Sequence, residues 1–258
     1  MPYLFFDLIK QIYILSIFDY FLVFIYYLIY ILDIYFLLFK IKKGGINFMA
    51  IEKEILNNKN IENLYHFTNV KNIDSIMENG ILSRNKLDKM KEELDKIEYE
   101  CFDNDRADCH KDYISLSIEH HNYKMLHSKY PCDKDKENMA ILELDASILT
   151  VENIKIKCSV ENAACNSGAN IKDLNEENFN ELYYTDGRAD NLNKKYPTNP
   201  QAEILIKDKI DSKYIKNVYF YSEEAEKGCG NNSKYQVDKY KYGPRPDYKH
   251  WQEKNNEE

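Results

Sequence analysis

The chain has 258 residues, 44% of them hydrophobic, and a formal net charge of −8. That is enough for one domain of moderate size with a real core. Residues 1–48 contribute +1 and residues 49–258 carry −9, which excludes a general nucleic-acid glue and leaves any such contact to a local patch.

Residues 11–32 form an apolar run long enough to span a bilayer, with Lys40, Lys42 and Lys43 on its C-terminal side. A membrane anchor is therefore one reading. Asp19 sits inside the run, and a mid-membrane Asp costs about 2.5–3.5 kcal/mol on insertion scales. No small-residue cleavage site follows, so a signal peptide is not expected. The residues are nearly all Ile, Leu, Phe and Tyr, which AT-rich triplets encode. Lys43-Gly44-Gly45 can be encoded by a purine-rich ribosome-binding sequence, and Met49 follows at a suitable distance. The expectation is that translation starts at Met49 and that residues 1–48 are translated upstream DNA. Residues 49–236 then form the functional domain and 237–258 a basic, aromatic tail.

Leu64 to Phe67 is predicted to be a short strand, and Asn69 to cap the helix after it. Val70, Ile73, Ile76 and Met77 give that helix one apolar face. Gly80 suits a left-handed C′ position, and Ile81-Leu82-Ser83 leaves in an extended piece. Residues 86–100 carry charges of both signs and are expected to form an exposed helix with no part in binding. Residues 101–112 are a polar loop containing Arg106, and Tyr113 to Ile118 alternates as a strand. Met139–Leu144, Ile154–Cys158, Ala202–Ile206 and Val218–Tyr221 are further strands, and Leu174–Leu182 is a helix. Five to seven short strands mixed with helices, without regular βαβ alternation, predict an α+β fold. A Gly-rich dinucleotide fingerprint and a P-loop are both missing from the sequence.

The six cysteines, Cys101, Cys109, Cys132, Cys158, Cys165 and Cys229, form no Cys-x-x-Cys pair. They suit a reducing cytoplasm. Cys109-His110 and His120-His121 fit no common zinc spacing, so no metal is expected.

Four features can carry chemistry. His66 and Thr68 flank Phe67 on one strand and share a face, where they can hydrogen-bond a ribose or an amide. Arg106 lies on a loop between two elements, and Tyr113, Ser115 and Ser117 form a polar strand face that marks a cleft. Tyr123 can stack on a planar group. Pro197-Thr198-Asn199-Pro200 fixes the entry of a buried strand, with Glu203 at its mouth. The bland alternatives are a structural His–Thr pair, a surface salt-bridge network and a solvent-facing Glu.

Taken in order, Tyr65-His66-Phe67-Thr68, Gly80-Ile81-Leu82-Ser83, Ile114-Ser115-Leu116-Ser117-Ile118 with Asn122-Tyr123-Lys124-Met125, Cys158 with Asn162-Ala163-Ala164, and Pro197 to Ile206 resemble the DarT family. These are DNA ADP-ribosyltransferases, the toxins of toxin–antitoxin pairs. Each motif is weak singly; five in order, spanning about Leu64 to Tyr221, are specific. The resemblance implies an ADP-ribosyltransferase-like fold with two small sheets around an NAD+ cleft, and pentosyl transfer from NAD+ to a base in single-stranded DNA. It implies that His66 and Thr68, with Phe67, hold the nicotinamide-ribose side of NAD+. Ser75, Ser83, Arg106 and Tyr113 also contact NAD+ under this reading, and Arg106 and Glu203 are catalytic. A carboxylate can stabilise the oxocarbenium-like cation formed when nicotinamide leaves. Arginine is a poor base, so charge positioning suits Arg106 better than proton removal.

The serine-rich strand looks more like the guanine-directed branch than the thymidine-directed one, although His120-His121 stands where a proline is expected. The base is thus guanine or thymine, with guanine favoured. The family also implies a macrodomain antitoxin as partner, and no stable membrane association if the start is Met49. Lys239 to Trp251 interleaves cations with aromatics, which predicts base stacking worth about 1–3 kcal/mol per base. The competing expectation is a loosely packed tail. Truncation after Gln236 is expected to spare NAD+ hydrolysis and to weaken DNA modification if the tail binds DNA. The alternatives in function are the same transfer to RNA or protein, and a membrane-anchored NAD-binding module without turnover.

Overall fold

A computed structural model describes residues 25–26, 28–31, 50–94, 99 and 109–255. The chain divides into two compact units, Met1–Asn47 and Phe48–Glu258. In the first, the described residues are helical, and no helix among the described residues is long and apolar enough to cross a membrane. Most of the apolar run over 11–32 lies outside the described residues.

The second unit is arranged around β1 (Asn63–Asn69), which lies inside an eight-stranded sheet. β1 pairs antiparallel with β4 (Met139–Asp145) along its whole length, from Asn63↔Asp145 to Asn69↔Met139. On its other side it pairs with β3 (Tyr113–Ile118) only at Leu64↔Ile118 and Tyr65↔Ser117. Beyond β3 come β7 (Glu203–Lys207), β5 (Ile156–Ser159) and β6 (Lys172–Asp173). Beyond β4 come β9 (Ile215–Phe220) and the parallel β10 (Tyr235–Val237). A separate ribbon joins β2 (Ile81–Leu82) to β8 (Lys209–Ile210). The α+β class holds. The two sheets are very unequal, and the small strands β2, β6, β8 and β10 raise the strand number above the five to seven predicted.

Both faces of the sheet are covered. Leu64, Ile114, Leu116, Ile118, Leu142, Ile204, Ile206, Val218 and Phe220 face the main core. Against them pack Leu56 of α1 (Lys53–Lys59), Ile73 and Ile76 of α2 (Ile73–Asn79), and Phe179 of α6 (Glu176–Glu181). The opposite face carries Tyr65, Met139, Ile141 and Tyr219 beneath Leu126 of α4 (Tyr123–Lys129) and Tyr242. This double burial explains why Ile204-Leu205-Ile206 is continuously apolar instead of alternating. The predicted face of α2 is the buried one, and Asn69 accepts from Lys71 N to cap a 3₁₀ turn that leads into it. Gly80 has φ +82°, but its ψ of 176° is not the left-handed helical value. Its constraint is closer contact: a Cβ there would lie 2.3 Å from the Ile210 carbonyl oxygen.

The C-terminal segment departs from expectation. It is neither a loose tail nor a row of open stacking rings. Tyr242 is 2% exposed, and its hydroxyl reaches the Met139 carbonyl at 2.7 Å and the Tyr219 carbonyl at 2.9 Å. Arg245 is 3% exposed, and Tyr248, which opens α8 (Tyr248–Asn255), is also buried. Among the described side chains of this set Tyr240 is the exposed ring, at 84%. The sequence pattern misleads because interleaved cations and aromatics look alike whether the rings face bases or a core. Truncation after Gln236 would therefore strip a wall of the second core.

Tyr242→Ala is expected to destabilise the fold by about 3–5 kcal/mol through lost packing, and Tyr242→Phe by about 1–3 kcal/mol through two buried carbonyls left without their donor. Urea denaturation of the full chain measures both.

Candidate functional site

The cleft begins where β1 leaves β3. After Tyr65↔Ser117 the two strands stop pairing, while β1 stays bonded to β4. His66 occupies the gap, its Nδ1 3.0 Å from the Ser115 carbonyl oxygen. A carbonyl only accepts, so Nδ1 carries a proton. The side chain thus takes up a backbone acceptor that a continued ladder would have used.

The opening is lined from both faces of β1, by Tyr65 and Phe67 on one and His66 and Thr68 on the other. β3 contributes Tyr113, Ser115 and Ser117, and β7 contributes Glu203. The 162–164 turn adds Asn162, Ala163 and Ala164, and Asn122 and Met125 close one side. Ile81, Leu82 and Ser83 line it as well, with Arg84 and Leu87 of α3 (Arg84–Leu94). The cleft encloses about 240 Å³. The charged helix expected to play no part in binding therefore borders the cleft at its first turn, where an Arg and a Leu sit among the charges.

Glu203 is the first residue of β7. Its register partners are Ser117 on β3 and Ser159 on β5. Ser117 in turn faces Tyr65, and Tyr65 faces Glu143. Opposed residues share a face, so Glu143, Tyr65, Ser117, Glu203 and Ser159 make one polar row across the sheet. Tyr219 donates to Glu143. Burial, with Glu143 and then Glu119, pushes the Tyr65 phenol well above its ordinary value. Glu203 itself is 6% exposed. It is a buried carboxylate at a cleft, not a solvent-facing strand end.

The chain approaches Glu203 through an irregular segment. Asn199 accepts from the Gln201 amide, and the Ala202 amide returns to the Asn199 carbonyl. Arg188 donates to the Asn193 and Tyr196 carbonyls and to Thr198 Oγ1. Lys195 forms a 2.9 Å ion pair with Glu119, which holds φ +58° and accepts from the Glu62 and Asn63 amides.

Two lining residues have buried polar atoms without a partner: Ser83 Oγ and Asn122 Nδ2. Asn122 uses only its Oδ1, which caps α4 by accepting from Met125 N at 3.1 Å. Buried polar atoms are ordinarily satisfied, and these two unpartnered ones belong to residues that line the cleft. Among the described residues no group of three or more His, Cys, Asp and Glu gathers as for a metal.

The structure thus brings His66, Phe67, Thr68, Ser83, Tyr113 and Glu203 to one cleft. Ser75 is on α2, where its carbonyl accepts from Asn79 Nδ2 at 3.1 Å, and it does not line the cleft. Arg106 lies outside the described residues. Tyr123 does not line the cleft either; it stacks on His127 and meets Tyr248 edge-on. Sequence reasoning gave no lining role to Asn72, Arg84, Leu87, Tyr99 or Asn122. For Asn122 the available signal is an Asn directly before a short helix, which marks a cap and not a cleft wall.

A family model described as "DarT: ssDNA thymidine ADP-ribosyltransferase, DarT" matches residues 65–251. Among solved structures the chain is similar to Thermosipho africanus DarTG in complex with ADP-ribose, at 20% identity and a TM-score of 0.47, covering 70% of this chain and 50% of that one. The chain thus spans half the length of that relative. It is also similar to Thermus sp. 2.9 DarT in complex with NAD+, at 13% identity and a TM-score of 0.48, covering 70% of this chain and 97% of that one. The same Thermus protein in complex with ADP-ribosylated ssDNA matches at 12% identity and a TM-score of 0.45, over 70% of this chain and 96% of that one. Comparison with curated proteins finds no match.

The residues just before Asn122 give a pH prediction. Burial, then the positive charges of Arg245 and Lys241, lower the His120 pKa to about 4, against a partly offsetting bond to the His121 carbonyl and the charge of Asp247. The unfolded chain binds this proton below about pH 6.5 and the folded chain does not until about pH 4. Stability is therefore expected to fall as pH drops through that window, with His120 contributing up to about 3 kcal/mol. Urea denaturation at pH 7, 6 and 5, with His120→Gln showing a correspondingly flatter profile, checks it.

Proposed function

The chain belongs to the DarT family of single-stranded-DNA thymidine ADP-ribosyltransferases, and we propose that it transfers ADP-ribose from NAD+ to a base in single-stranded DNA, with guanine as that base. The observation that carries the reading is the convergence of Glu203 with His66, Thr68, Ser83 and Tyr113 on one cleft. NAD+ supplies the electrophilic ribose carbon when its bond to nicotinamide breaks. His66, Phe67, Thr68, Ser83 and Tyr113 hold it. Glu203, fixed on a rigid strand, faces the positive charge that develops at that carbon, where a preorganised carboxylate acts most strongly. Arg106 is assigned to charge positioning, and Ser75, which does not line the cleft, is left out of the set.

The choice of guanine rests on the serine-rich strand that carries Ser115 and Ser117, which looks more like the guanine-directed branch than the thymidine-directed one. We further propose that the activity is that of a toxin, held in check by a macrodomain partner that removes the modification.

Oligodeoxynucleotides that differ at a single base, incubated with NAD+ and the full chain and weighed by mass spectrometry, test this. One ADP-ribose on guanine is expected, and Glu203→Gln should slow the transfer by about 10²–10³-fold while the protein stays folded. Modification of thymine alone overturns the base assignment. Modification only of RNA or protein overturns the DNA assignment.

A further inference from the structure

We propose that Arg245, oriented by Asp247, is a positioning residue for Glu203: it braces the irregular segment through which the chain enters the cleft. The proposal rests on the transferase reading above.

The geometry is specific. Arg245 Nη1 donates to the Pro197 carbonyl at 2.7 Å and Nη2 to the Thr198 carbonyl at 3.1 Å. Nε and Nη2 also form a two-pronged pair with Asp247, at 2.5 and 2.7 Å. The guanidinium is 2% exposed at the side chain and Asp247 is 8% exposed. A buried pair of this kind is weak evidence for stability, because desolvation offsets most of its attraction. A fixed fork does, however, specify the place of two successive carbonyls as a flexible ammonium cannot.

Those carbonyls are where specification is needed. From Pro197 to Ala202 the chain makes turns and no strand ladder, so side chains and turn bonds do the holding. The Thr198 amide donates to the Leu182 carbonyl at 2.9 Å, and its hydroxyl donates to the Tyr184 carbonyl. Arg245 takes hold of the same residue from the opposite end of the sequence. Glu203 follows directly on this segment, and a small misplacement of a reacting group is costly in rate. The brace also has a second arm. Tyr248 packs edge-on against Tyr123 of α4, the helix whose cap Asn122 and residue Met125 line the cleft. One short C-terminal segment thus sets the entry to Glu203 and supports the wall beside it.

Asp247→Asn and Arg245→Lys test the brace in the full chain, since each keeps size while weakening the fork. Hydrogen exchange at the Thr198, Gln201 and Ala202 amides should accelerate at least tenfold, with β4 and β9 unchanged within twofold. In single-stranded DNA transfer, kcat should fall at least tenfold while the KM for NAD+ stays within twofold. Unchanged exchange in the segment overturns the proposal. So does acceleration spread through β4 and β9, which would mark a merely structural pair, or faster local exchange with kcat intact. If the unmutated chain transfers nothing, the function proposed above falls and takes the catalytic consequence with it, while the exchange pattern still decides the brace.

Discussion

The cleft depends on one break in pairing. β1 is bonded to β4 from end to end but leaves β3 after Tyr65. A sheet that parts in its interior would expose unpaired backbone groups, and such groups are costly when buried. The imidazole of His66 covers one of them by donating to the Ser115 carbonyl. The opening gives access to both faces of β1 at once. His66 and Thr68, which point toward the main core face, can then share a space with Tyr113, Ser115, Ser117 and Glu203 on the other.

The sheet around this gap is rigid because both of its faces are buried. Rigidity matters most for Glu203. A carboxylate on a loop would be hydrated and mobile; on β7 it is held between two serines in register and buried. The segments flanking the cleft are irregular by contrast, and they are tied down by side chains: Glu119 with Lys195, Arg188 with the 193–198 turn, and Arg245 with Asp247. A regular scaffold thus supplies place, and irregular segments pinned to it supply shape.

Much of this was legible before any fold was known. The alternation of Tyr113 to Ile118 gave both the strand and its polar face. The i, i+3, i+4 spacing of Val70 to Met77 gave the buried face of α2. The prolines and Asn before Glu203 announced a fixed entry to a buried strand. Other features were hidden for physical reasons. Gly80 signalled positive φ, but the approach of the Ile210 carbonyl belongs to a residue far along the chain. Asn122 could be seen as a cap but not as a cleft wall. The C-terminal segment carried the right residues for base stacking, yet Tyr242 and Tyr248 are spent on the core, because burial is decided by what lies opposite and not by the ring.

What the sequence by itself determined is the set of elements and the chemistry they carry: an α+β chain whose ordered motifs place it in the DarT family. Local periodicity, capping and turn residues are enough for that, since each acts within a few positions of itself. Only the tertiary structure decided which faces meet. His66 and Glu203 sit on opposite sides of their sheet, and they reach one cleft because β1 and β3 part between them. The parting of β1 from β3, the row from Glu143 to Ser159 and the grip of Arg245 on Pro197 and Thr198 all join residues distant in sequence. Long-range pairing and burial set them, and no local pattern encodes either.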